Sequence, residues 1–205
     1  ISPIGNTISE FWESLCAGKS GIDTITHFDV TDFSTQIGGC VKNFDPEDYM
    51  DKRDARRMDR FTHYAIAATR MAINQATVDM DNIDIERLGV VLGTGVGGIE
   101  TMEEQHKRLL TRGPGRVSPF FVPMMITNIA AGQIAIAMGA KGVNTTVITA
   151  CASATNAIGE AYRMIKDDKA DMIITGGSEA AVSPLALAGF CSMRALSTRN
   201  DDPKG

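Results

Sequence analysis

The sequence predicts an α/β protein, and three features predict it. Helix-period and strand-period apolar patterns alternate along the 205 residues. A short apolar run, 88–92, passes directly into the glycine string Gly93-Thr94-Gly95-Val96-Gly97-Gly98. A β-rich run, a helical run and a second β-rich run then follow one another over 143–175. That last order is a βαβ unit, which requires a parallel sheet and a right-handed crossover.

In chain order, residues 9–17 predict a short amphipathic helix with Phe11, Trp12 and Leu15 apolar. Residues 18–51, with Gly38-Gly39 and Pro46, are turn-rich and predict loops and short strands. The clearest helix is 54–76, where Met58, Phe61, Ala65, Ala68 and Ala72 recur at spacings of three and four and predict a core-facing stripe. A polar helix, 99–112, follows the glycine string, and Gly113-Pro114-Gly115 ends it. Residues 122–138 are nearly all apolar or small and carry no charge, which predicts one buried helix. In the βαβ unit, 143–149 and 171–175 are the strands. The helix between them, 153–166, places Ala157, Ile158, Ala161 and Ile165 on one face. The polar string 197–205 has no closing helix or strand after it.

Composition narrows the function classes. With 43% hydrophobic and 22% charged residues the chain is not disordered. No run approaches the ~18 apolar residues of a membrane span, and residues 1–21 lack the basic-then-apolar order of a signal peptide. Twenty basic against 25 acidic residues, a net charge of −5, argue against a general nucleic-acid binder. Cys16, Cys40, Cys151 and Cys191 form no CxxC pair, so neither a zinc site nor a disulfide framework is expected. Reduced thiols in the cytoplasm fit best.

Cys151 is the candidate for chemistry. It falls between the strand at 143–149 and the helix that starts near Ser153, and its neighbours Ala150 and Ala152 allow the sharp turn that lifts a nucleophile out of a sheet. A helix N-terminus behind a thiol favours the thiolate. A lone cysteine also serves as a small buried hydrophobe, and position alone leaves both readings open. Cys16, Cys40 and Cys191 read as packing residues. Of the three histidines, His63 and His106 lie in helices and His27 in a loop, and none is placed as a base for Cys151.

The glycine string contains GxGxxG, but no Asp or Glu stands between Glu104 and Glu160 to hold a ribose, so a dinucleotide site is rejected. Close backbone approach to another element or to an acyl substrate, and a plain tight turn, remain as its readings. Arg53, Arg56, Arg57 and Arg60 follow i, i+3, i+4, i+7 and predict one basic helix face. That face suits an acidic partner, or is solvated and partly neutralised by Asp54 and Asp59.

Several runs stand together in order: Ile1-Ser2-Pro3-Ile4-Gly5-Asn6, GTGVGG at 93–98, Ser118-Pro119-Phe120-Phe121-Val122-Pro123, TACASATNAIGEA at 149–161, Gly176-Gly177-Ser178-Glu179-Ala180, and Gly189-Phe190 with Arg194-Ala195-Leu196-Ser197-Thr198. In these the chain closely resembles, over essentially its whole length, the N-terminal half of the β-ketoacyl-[acyl-carrier-protein] synthase II family, condensing enzymes of the thiolase fold. The resemblance implies a single thiolase-like domain over 1–205, half of a five-layer α-β-α-β-α architecture, without the family's first strand and second half. It implies that Cys151 accepts an acyl group from the phosphopantetheine of acyl carrier protein. Malonyl-carrier protein then loses carbon dioxide, and its carbanion attacks the thioester in a Claisen condensation.

By the same resemblance Val96 and Phe190 line the acyl pocket, and Phe121 is donated across a homodimer. The run 142–149 pairs across the dimer axis, and Arg56, Arg57, Arg116 and Arg194 dock the carrier protein. No metal or cofactor of the protein's own is implied. The family's two catalytic histidines, its lysine and its glycine-rich Phe loop belong to the second half, so these 205 residues alone are expected to be inactive and to expose a large apolar face. A non-catalytic homologous subunit that pairs with a complete synthase is the alternative, and the retained Cys151 argues against it. An unrelated cysteine hydrolase is disfavoured by the placement of the histidines.

Overall fold

The computed structural model describes residues 1–204. In chain order the elements are α1 (Ile8–Cys16), β1 (Ile22–Thr24), β2 (Ile37–Gly39), α2 (Lys52–Ala55), α3 (Arg60–Ala76), β3 (Leu88–Gly93), α4 (Ile99–Arg112), α5 (Phe121–Met125), α6 (Ile129–Met138), β4 (Asn144–Val147), α7 (Ser153–Lys166), β5 (Met172–Gly177) and α8 (Pro184–Ser192). They form two compact units, Ile1–Asp45 with the segment from Ala181 onward, and Pro46–Ala180.

In the first unit a capping box starts α1. The Thr7 hydroxyl accepts from the Glu10 amide at 3.2 Å, and the Glu10 carboxylate accepts from the Thr7 and Asn6 amides at 3.1 and 2.9 Å. Those two backbone N–H donors hold the Glu10 carboxyl below its ordinary pKa. The apolar side of α1 is uncovered in this unit, with Trp12 62% exposed. β1 and β2 pair antiparallel, Ile22 opposite Gly39. A small core of Ile25, Val30 and Leu187 gathers Phe28, Phe33, Val182, Cys191 and Leu196 around it. The polar string after Ser197 is tied down. Asn200 accepts from the Gln36 amide at 2.8 Å and donates to the Ser34 carbonyl at 3.0 Å, and Thr35 donates to the Ser197 carbonyl at 2.9 Å.

In the second unit β3 lies between β4 and β5, all three parallel, with Val90 opposite both Asn144 and Ile174. Every residue of β3 is buried, and period-two alternation splits its side chains between two cores. Val90 and Leu92 pack with Phe61, Ala65, Ile66, Ala130, Ala131 and Ile134 from α3 and α6. Val91 packs on the other side with Ala157 and Ala161 of α7. Helices therefore cover both faces of the sheet, and β4 and β5 reach it through the α7 crossover that the sequence predicts.

The structure departs from several of these expectations. The helix expected over 54–76 is two helices. Asp59 has extended backbone (φ −78°, ψ 161°) and caps α3 afresh by accepting from the Phe61 amide, so Arg53, Arg56 and Arg57 precede α3 and do not share its face with Arg60. Within α3, Ala68 and Ala72 are exposed, and Thr62, Ile66 and Thr69 are buried in their place. The single helix expected over 122–138 is α5 and α6, parted where Ile126 turns extended (ψ 139°). On α7, Ala157 and Ala161 face the sheet, but Ile158 and Ile165, expected with them, are exposed.

Candidate active site

The β4–α7 connection carries Cys151. After Val147 the chain passes Thr149 (φ −134°, ψ 43°) into a 3-10 turn, Ala150–Ala152, and α7 begins at Ser153. Ala150 is left-handed, φ +51°, a conformation that costs an L-residue roughly 1–2 kcal/mol. Ser153 holds the turn closed by accepting from the Thr149 amide at 2.9 Å and donating to the Ala150 carbonyl at 2.7 Å. Asn156 adds a bond to the Thr149 hydroxyl at 2.8 Å. Cys151, one residue ahead of the helix N-cap Ala152, is exposed. A strand before it and a helix after it are the arrangement read from the sequence; of the two readings left open for the thiol, exposure excludes the buried one.

The glycine string lies beside this turn because β3 and β4 end at the same side of a parallel sheet. A Cβ on Gly93 would stand 2.3 Å from the Ser153 carbonyl carbon, so only glycine lets β3 abut the first peptide of α7. The Thr94 amide donates to the Val147 carbonyl at 3.3 Å. The position of a Cβ on Gly95 is 3.9 Å from the Ala150 carbonyl oxygen, which puts the string next to the Cys151 turn. At its far end the Gly98 amide donates to the Met125 carbonyl at 3.1 Å, where α5 stops. Among the open readings of the string, close approach to another element is the one the structure contains.

Two acidic residues anchor this region. One carboxylate oxygen of Glu179 accepts from the Gly95 and Val96 amides at 2.7 and 2.9 Å, and the other from the Thr94 hydroxyl at 3.4 Å. Asp59 is buried and accepts from both the amide and the hydroxyl of Thr101, at 2.9 and 2.6 Å, joining α3 to the first turn of α4. Sequence reasoning missed both roles, reading Glu179 as part of a run and Asp59 as a neutraliser of arginines. For Glu179 a signal existed: it stands two residues past the end of β5, and a parallel sheet collects its strand C-termini on one side.

The remaining candidates divide between the units. In the second, Val96 is 44% exposed and Phe121, half-buried, opens α5. The Arg57 guanidinium lies 4.6 Å from the Phe120 ring centre, Arg56 and Arg116 are exposed, and Arg60 pairs with Glu100 at 3.2 Å. In the first, Phe190 on α8 lines a cavity of about 610 Å³ with Ile22, Ile25, Val182 and Leu187. Arg194 is exposed with φ +55°. His27 contacts the Val182 carbonyl at 2.8 Å, His63 is half-buried and His106 is exposed. Among the described residues no group of His, Cys, Asp and Glu could hold a metal, and no helix is long and apolar enough to cross a membrane.

A parallel three-stranded sheet covered on both faces, with a cysteine on the strand-to-helix turn and a glycine loop beside it, defines a class of α/β proteins built around a cysteine turn. The chain belongs to the β-ketoacyl synthase family: residues 1–204 match the family model described as beta-ketoacyl synthase, N-terminal domain. It is 49% identical over 203 residues to a 3-oxoacyl-[acyl-carrier-protein] synthase 2 of Synechocystis sp., covering 99% of this chain and 49% of that protein. Among solved structures it resembles the ishigamide ketosynthase/chain length factor with a TM-score of 0.89 at 29% identity, over 96% of this chain and 49% of that one. It also resembles a beta-ketoacyl synthase from Burkholderia phymatum with a TM-score of 0.85 at 28% identity, over 100% of this chain and 50% of that one. The chain thus spans about half the length of the relatives it matches.

Proposed function

We propose that this chain is the cysteine-bearing half of a 3-oxoacyl-[acyl-carrier-protein] synthase of type II fatty acid synthesis. The exposed Cys151 on the β4–α7 turn carries this reading. Its sulfur attacks the acyl thioester on a carrier protein's phosphopantetheine; the new C–S bond forms as the old one breaks, and the arm leaves as a thiol. Malonyl-carrier protein then releases carbon dioxide, its carbanion forms a carbon–carbon bond to the Cys151-bound carbonyl, and the cysteine leaves as a thiolate. The resemblance assigns the histidines of that second step to the family's second half, and this chain covers 49% of the Synechocystis relative.

Val96 and Phe190 are proposed to bound the acyl chain, with Phe121 reaching the pocket of a partner copy in a homodimer. Arg56, Arg57, Arg116 and Arg194 are proposed to receive the acidic carrier protein. The reaction needs no cofactor beyond the carrier's arm, and its place is the cytoplasm.

The test is intact-mass measurement after incubating the natural full-length polypeptide with acyl-carrier protein. One acyl mass is expected on Cys151, and Cys151→Ser is expected to abolish it and to lower condensation by ~10³-fold or more. No adduct, or an adduct on Cys16, Cys40 or Cys191, overturns the assignment.

A further inference from the structure

We propose that Glu179 is a positioning residue that sets which acyl chain lengths Cys151 accepts, an inference that rests on the function proposed above. Four of the six residues from 93 to 98 are glycines, so the string has few side chains with which to anchor itself. A carboxylate tether is Glu179, whose Oε2 gathers two consecutive amides, those of Gly95 and Val96, at 2.7 and 2.9 Å. Hydrogen bonds to an ionised acceptor are roughly twice as strong as neutral ones. The tether acts where the string runs beside the Cys151 turn, since the Cβ position of Gly95 is 3.9 Å from the Ala150 carbonyl oxygen and 2.9 Å from Glu179 Oε2.

The side chain projected from the tethered stretch is Val96, which is partly exposed. Glu179 stands two residues past β5, a strand paired with β3 over six residues. Its neighbour Ser178 donates its amide to the Gly93 carbonyl at 3.0 Å and its hydroxyl to the Phe61 carbonyl at 2.7 Å, so the backbone that carries Glu179 is fixed independently of its carboxylate. Release of the two amides therefore frees Val96 to move relative to the cysteine turn while leaving that turn closed by Ser153. A displaced wall alters the fit of a long chain, which extends past it, far more than that of a short one.

The experiment measures the rate of thioester formation on Cys151 by intact mass, in the natural full-length polypeptide, with carrier protein bearing a short and a long saturated acyl group. Glu179→Ala is expected to change the long-to-short rate ratio by ~10-fold or more, within the ~10²-fold that an ångström of misplacement produces. Glu179→Gln keeps one carbonyl acceptor without the charge and is expected to fall between Glu179→Ala and the wild type. A Val96→Trp substitution is expected to shift the ratio less in the Glu179→Ala background than alone, because the two act through one loop. A ratio unchanged in both Glu179 variants, or rates lowered equally for both chains, overturns the inference. If Glu179→Ala does not fold, Glu179→Gln decides by the same ratio. A wild type that takes no acyl group on Cys151 instead overturns the proposed function, and this inference with it.

Discussion

Arg56 and Arg57 are neighbours with different attachments, and the difference makes their roles separable. Arg56 is exposed, whereas Arg57 lays its guanidinium over Phe120, a contact worth roughly 0.5–1 kcal/mol at an exposed site. If both receive the carrier protein, Arg56→Glu changes the field alone, while Arg57→Glu also releases the Phe120 ring. Titration of carrier protein at about 0.05 M salt should show weaker binding for both. At about 0.5 M, where screening shortens to a few ångströms, the Arg56→Glu loss should vanish and part of the Arg57→Glu loss persist. Equal affinity of Arg56→Glu and the wild type at low salt removes the docking role. At this scale the strand-to-helix placement of Cys151 was legible because a β-rich run stops at small residues before a helix. Asp59 was not, since a capping carboxylate that also bonds Thr101 has a partner 42 positions away, and no local pattern encodes that distance.

Elements were legible where the apolar period changes and illegible where it does not. The βαβ order was read correctly because β-rich runs flank a helix-period run there. The 122–138 run is uncharged and mostly apolar, and its boundary is marked only by the polar pair Thr127-Asn128, with Asn128 the N-cap of α6; the chain breaks after α5, where Met125 offers its carbonyl to Gly98. The α2–α3 break has a consequence for pH. His63 donates from Nε2 to the Ala55 carbonyl at 2.8 Å, tying α3 to the end of α2. Burial holds its pKa below the ordinary histidine value, Arg60 acting the same way, against the Ala55 carbonyl and the charges of Asp59 and Glu100. The unfolded chain thus takes up this proton first as pH falls. The neutral ring's contribution is complete above the unfolded pKa of about 6.5 and is lost as pH drops through the lower folded value. Unfolding free energies from urea titrations between pH 7.5 and 5 should fall more steeply for the wild type than for His63→Gln, by at most about 1.4 kcal/mol per pH unit. Parallel pH profiles for the two proteins would remove His63 from this role.

For the whole molecule, the proposed homodimer can be tested at a strand edge. Among the described residues β4 pairs only with β3. The Val143 and Val147 carbonyls accept from the Val90 and Thr94 amides. By two-residue alternation Asn144 and Thr146 therefore point their backbone N–H groups away from β3, toward an open edge that invites a further strand. Close by in sequence, Ile148 and, on α6, Ile136 are exposed, Ile136 by 76%. A second copy adding its own β4 is the homodimer proposed above. Proline at 146 removes one outward donor and sets a ring in the path of the partner strand, while the pairs with β3 use other groups. Thr146→Pro should therefore sediment at half the wild-type mass at micromolar concentration with the helical signal retained. Thr146→Val is the control, keeping the N–H and the side-chain shape. It removes a hydroxyl that is buried without a hydrogen-bond partner among the described residues, so stability should hold or rise slightly and the dimer should persist. A Thr146→Pro protein that is folded and still dimeric with wild-type affinity places the association surface elsewhere than on β4.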